Sequence, residues 1–146
     1  MKTVLPLLAA ACVLLVLSSS ASAASPGAYR AKVNGICKAG VAKINAVPQP
    51  ASPKGYASYF QTTGTLGYQL MKQIIAVTPP KSLQPLVLAA LKPQGQVVDG
   101  LLALASKIRK GADPVAAFKA ATPALDRVSK QADAAWRKAG LPACAG

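Results

Sequence analysis

The 146-residue chain contains no histidine and no glutamate, and Asp99, Asp113, Asp126 and Asp133 are its only acidic side chains. Those absences remove most of the chemistry that enzymes run near neutral pH. General acid–base catalysis asks for an imidazole, or for a carboxyl group tuned by a close partner. Here Asp113 stands directly before Pro114, a helix-capping position, while Asp126 with Lys130 and Asp133 with Arg137 have the four-residue spacing of neighbours on a helix face. Asp99 is left without such a role and falls on the solvent side of its helix, so the two carboxylates of a glycosidase have no candidates. Zinc wants three or four converging Cys, His or carboxylate ligands, and the expectation is no metal and no cofactor. A cysteine nucleophile lacks its base. Ser106 and Lys107 are adjacent on a helix and do not face each other, and there is no glycine loop to cradle phosphate. No residue is assigned a catalytic role.

Long apolar runs are also scarce. The one clear case is residues 4–17, preceded by Lys2 and followed by the small residues 18–24, which is the layout of a secretory signal peptide. Cleavage after Ala21-Ser22-Ala23 fits the small side chains the peptidase requires, giving a leader over 1–23 and a mature chain of 24–146. A retained membrane anchor is the weaker reading, because about 20 apolar residues are needed to cross a bilayer. Lipid attachment at Cys12 is weaker still, since the apolar run continues past it. Downstream, the richest stretch, 97–108, is interrupted by Asp99, Ser106 and Lys107.

What is abundant is positive charge. Seventeen Lys and Arg face four acids; losing Lys2 with the leader leaves sixteen cations and a net charge of +12. Such a chain favours anionic neighbours, whether polymers, acidic glycans or lipid headgroups, although solubility alone is a sufficient reason for it. Two cysteines survive processing, Cys37 and Cys144. In an exported domain an even pair is expected to form a disulfide, here closing a loop of 107 residues.

Four amphipathic stretches are separated by proline-rich breaks, with apolar residues at alternating spacings of three and four. Ser25 and Pro26 open the first, whose face is Tyr29, Val33, Ile36, Gly40, Ile44 and Val47, and Pro48-Gln49-Pro50 ends it. The second spans 53–77 with Tyr56, Phe60, Thr63, Gly67, Leu70, Ile74 and Val77. The third starts near Ser82 as cap and carries Leu83, Val87, Ala90, Gln94, Val97, Leu101, Leu104 and Ile108, with Pro93 expected to kink or split it. The fourth opens on Asp113-Pro114, buries Phe118, Ala121, Leu125, Val128, Ala132 and Ala135 with Trp136 at the edge, and stops at Gly140-Leu141-Pro142. Helices of this length joined by short loops predict an all-α, up-down-up-down four-helix bundle. The fourth helix then ends beside the start of the first, where the tail can bring Cys144 to Cys37.

Tyr29 with Val33-Asn34 and Ile36-Cys37, the helix end Ala76-Val77-Thr78-Pro79-Pro80 and the terminal Gly140-Leu141-Pro142-Ala143-Cys144 resemble the small secreted or lipid-anchored helical proteins of actinobacteria. That resemblance implies export, helices and the Cys37–Cys144 pairing, and no activity.

The function read from the sequence is therefore non-enzymatic: adhesion to an anionic polymer or membrane surface at the cell envelope, through lysines and arginines such as Lys38, Lys43, Arg127, Lys130, Arg137 and Lys138. Specific nucleic-acid recognition is not expected, because the cations are spread over all four helices and Tyr56, Tyr59 and Phe60 are committed to packing instead of a base-stacking platform. The alternative is a carrier. Gly35 and Gly40, Gly64 and Gly67, Gly95 and Gly100, and Thr122-Pro123 fall at one level of the bundle, where Thr63, Gly67 and Gln94 would border a pocket for a small apolar ligand. The competing reading is that small residues simply let the helices approach closely.

Overall fold

The computed structural model describes residues 24–146, so the leader expected over 1–23 lies outside the described residues. Helices α1 (Pro26–Asn45), α2 (Tyr56–Ile75), α3 (Gln84–Arg109) and α4 (Pro114–Lys138) form the up-down-up-down bundle, with short 3-10 turns at Pro53–Gly55 and Pro142–Cys144. No strand is present among the described residues, and no helix among them is long and apolar enough to cross a membrane.

Local chemistry sets the helix ends. The Ser25 hydroxyl accepts from the Ala28 N–H at 3.2 Å, and the Asp113 carboxylate accepts from the Ala116 N–H at 2.7 Å, each satisfying a first-turn donor that no helical carbonyl reaches. At the other ends, Gly111 (φ 100°) and Gly140 (φ 76°) take the left-handed conformation. There the Gly140 N–H bonds the Arg137 carbonyl and the Leu141 N–H bonds the Trp136 carbonyl, closing α4 with a Schellman motif. Ser82 does not cap α3, in contrast to expectation. The Leu83 and Gln84 N–H groups instead bond the Pro80 carbonyl, so the proline pair builds the turn itself. Neither Pro93 nor Pro123 splits its helix.

Two apolar clusters fill the bundle. At the disulfide end, Tyr29, Val33 and Cys37 of α1 meet Ile74, Val87, Ala90, Ala132, Trp136 and the tail residues Leu141 and Cys144. At the opposite end Phe60, Leu104, Ala105, Ile108 and Ala117 pack together with no contribution from α1. Phe60 also stacks on Phe118 with centroids 5.4 Å apart, and Tyr56 and Tyr59 flank it, so the aromatics of α2 are indeed used in packing. The buried face of α4 differs from the expected one at its two ends, where Ala117 is buried instead of Phe118 and Trp136 more deeply than Ala135, while Ala132 is buried as expected. Trp136 is 1% exposed while Phe118 is 40% exposed, and the Trp136 indole N–H donates to the Gln94 side-chain oxygen at 3.2 Å. Between the clusters the helices close in on one another. A Cβ on Gly64 would stand 2.8 Å from Leu102, one on Gly67 2.9 Å from Val98, and one on Gly100 2.6 Å from Leu125.

The Cys37–Cys144 disulfide is formed, with Cα atoms 4.9 Å apart. It has polar company. Arg30 Nε donates to the Ala139 carbonyl at 3.0 Å, Asn34 Nδ2 to the Gly140 carbonyl at 3.4 Å, and the Ala143 N–H donates to Asn34 Oδ1 at 3.1 Å. Helix α1 is therefore joined to α4 chiefly through the terminal turn, while α3 packs along both α2 and α4.

Tyr29 supplies a stability test. Its side chain is buried, and its hydroxyl has no hydrogen-bond partner in the protein. An unmade bond of this kind costs about 1 kcal/mol or more, so Tyr29→Phe should raise the unfolding free energy by about 1 kcal/mol, read by denaturant titration. Desolvation pushes the phenol above its ordinary value of 10.0. The unfolded chain consequently loses this proton first as the pH rises. The contribution of Tyr29 is intact below pH 10 and is lost as pH climbs through the folded-state pKa. The gap between Tyr29→Phe and wild type should thus widen in alkali and stay constant below pH 9 or so.

Candidate functional site

Two concave regions border the disulfide-end cluster. The first is a cavity of about 160 Å³ at mid-bundle, where the second half of α1 stands off from α4. Gly67 and Gln94 both border it, together with Val41, Leu70, Ser129 and Asp133. Thr63, expected to join them, does not: its hydroxyl donates to the Tyr59 carbonyl within its own helix, a bond that a buried threonine in a helix makes readily. The cavity is mixed in character, since Gln94 accepts from Trp136 and Asp133 accepts from the Gly146 N–H at 3.0 Å. That last bond turns Asp133 toward the tail.

The second region is larger and almost wholly apolar. A groove of about 460 Å³ runs between the start of α1, the end of α2 and the start of α3, lined by Tyr29, Ile74, Ile75, Val77, Pro79, Val87, Leu88, Leu91 and Lys92. Ile75 and Leu88 are 61% and 65% exposed, the two most exposed large hydrophobics among the described residues. This site was not anticipated from periodicity. Its signal is a pair of doublets, Ile74-Ile75 and Val87-Leu88, on either side of Thr78-Pro79-Pro80. Each places one aliphatic residue in the core and a second just outside it.

The six cations singled out from the sequence are all exposed, Lys38 and Lys43 on α1 and Arg127, Lys130, Arg137 and Lys138 on α4. The fold spreads them along two helices instead of gathering them into one patch. Lys43 borders a small recess with Gly40, Leu66 and Gln73 on the α1–α2 seam, while Arg137 and Lys138 lie in the last turn of α4. Of the sixteen cations in residues 24–146, fifteen are exposed, and Arg30 is half-buried at the tail. All four aspartates lie in residues 99–146, so α1, α2 and the first half of α3 carry cations alone.

No protein family, curated protein or solved structure matches the chain. Geometry and charge alone therefore carry the functional reading.

Proposed function

We propose that the protein is an exported, non-enzymatic module that adheres to anionic components of the cell envelope. The observation that supports this reading is the uncompensated surface charge: fifteen exposed cations in residues 24–146, with no acid before Asp99. The buried disulfide agrees with an oxidising location.

Adhesion of this kind is screened by salt, because the Debye length shrinks from about 30 Å at 0.01 M to about 8 Å at 0.15 M. Retention of the 24–146 protein on an anionic polymer column should fall at least about tenfold across that interval. Charge removal at Lys38, Lys43, Arg127, Lys130, Arg137 and Lys138 together should reproduce the loss at low salt. Retention indifferent to both salt and those substitutions would rule the reading out.

The second reading, carriage of a small apolar ligand at mid-bundle, draws support from the cavity beside Gly67 and Gln94. Filling it with Gly67→Leu is not a clean test, because the Cβ meets Val98. A thermal shift on adding a small apolar compound, abolished by Val41→Trp at the cavity wall, is the more direct one.

A further inference from the structure

We propose that the groove between the α2–α3 turn and the start of α1 binds a free long-chain carboxylate, with the alkyl chain along the groove and the anionic head against Lys92. This proposal is independent of adhesion through the dispersed surface charge.

Three observations carry it. The groove holds about 460 Å³, inside the range of roughly 300–1,000 Å³ typical of small-molecule sites. Its lining is aliphatic except for the ring of Tyr29 and the amine-bearing chain of Lys92, so an alkyl chain finds dispersion contacts along its length and no polar group to desolvate. Ile75 and Leu88 stand at 61% and 65% exposure in this lining, and covering them removes apolar surface from water. A concave seat of this form fits one chain between two walls, where a convex apolar wedge would suit insertion into a bilayer.

Charge decides the head group. Lys92 lines the groove and is exposed. Lys72 is nearby in sequence but sits 5.9 Å over the Tyr68 ring, which occupies it in part. No aspartate occurs anywhere on α1, on α2, in the connection or on α3 before Asp99. A cationic amphiphile would meet repulsion and no partner, whereas a carboxylate can accept a charge-assisted hydrogen bond from the Lys92 amine.

Sodium dodecanoate, titrated into the 24–146 protein below its micelle-forming concentration and followed by calorimetry, tests this directly. Saturable binding is expected, with dodecyltrimethylammonium, which has the same tail and the opposite charge, binding at least about tenfold more weakly. Leu88→Gln and Ile75→Gln change exposed positions and leave the core intact; each should weaken dodecanoate about tenfold. Lys92→Gln should weaken it about fivefold, while Lys119→Gln, on α4 away from the groove, should have no effect. The proposal fails if dodecanoate does not bind, if Leu88→Gln and Ile75→Gln leave its affinity unchanged, or if the cationic amphiphile binds equally well. Binding to phosphatidylglycerol vesicles that needs Ile75 and Leu88, in the absence of dodecanoate binding, would overturn it in favour of a bilayer surface.

Discussion

Replacing Cys37 and Cys144 together by alanine should lower the unfolding free energy by about 5 kcal/mol, the chain-entropy figure for a loop of 107 residues and an upper estimate under that model. A domain of this size has about 5–15 kcal/mol in all, so the double variant should lie near the edge of folding at 25 °C. The loss arises mostly in the unfolded state, which the bond keeps compact. Urea titration should accordingly show a lower midpoint and also a steeper dependence on denaturant, since the uncross-linked chain exposes more surface. Both sulfurs are buried, Cys37 at 0% and Cys144 at 8% exposure, so in the native protein reductant should act slowly and only through opening of the tail. A loss below about 1 kcal/mol would show instead that the Arg30 and Asn34 bonds to residues 139–143 suffice to hold α1.

Trp136→Ala should be nearly as damaging, at about 3–5 kcal/mol. The indole is 1% exposed and is the largest fully buried side chain of the described residues. It also borders the 160 Å³ mid-bundle cavity, so truncation enlarges an existing void that the surrounding helices cannot collapse to fill. Part of the effect is polar. Gln94 Oε1 loses its donor when the indole goes, and a half-buried amide left unpaired is costly. A double-mutant cycle separates the two contributions. Trp136→Phe should cost at least 0.5 kcal/mol less in a Gln94→Leu background than in the wild type, because the orphaned acceptor is then absent. Additive effects in chemical denaturation would mean that the 3.2 Å bond contributes nothing.

How far the sequence was legible varied by element. Helix α3 was legible at its two ends, where Leu83, Val87, Ala90, Leu104 and Ile108 are buried as the repeat of four and three predicts, but in its middle Val98 is buried instead of Val97 and Leu101 is half-buried. The caps at Ser25 and Asp113 and the stop at Gly140 were legible too, since each rests on the chemistry of one or two residues. The cysteine pairing followed from there being two in residues 24–146. On α4, by contrast, Ala135 and Trp136 stand three and four residues after Ala132, so a spacing of three and four admits either as the next inward residue. The choice between Ala135 and Trp136 depends on the space that α2 and α3 leave, which no local pattern encodes. The clamp of Arg30 and Asn34 on the tail spans more than a hundred residues, and a single polar residue on a helix gives no sign of so distant a partner. Of the candidate pocket residues, Gly67 and Gln94 do border a cavity, while Thr63 is turned into its own helix. The groove escaped notice because Ile75 and Leu88 lie beside the stripe of three-four spacing, and that spacing assigns no role to an apolar residue off it.

The bond between residues 37 and 144 also changes what a protease can do to this molecule. Everything from the second half of α1 to the last turn is enclosed in one covalent ring. The extended connection at 46–52, with its exposed Ala51 and Ser52, is the natural place for a cut. Such a nick opens the ring without releasing a piece: both products stay linked, migrate together until thiol is added, and keep the two ends of the bundle within reach of each other for refolding.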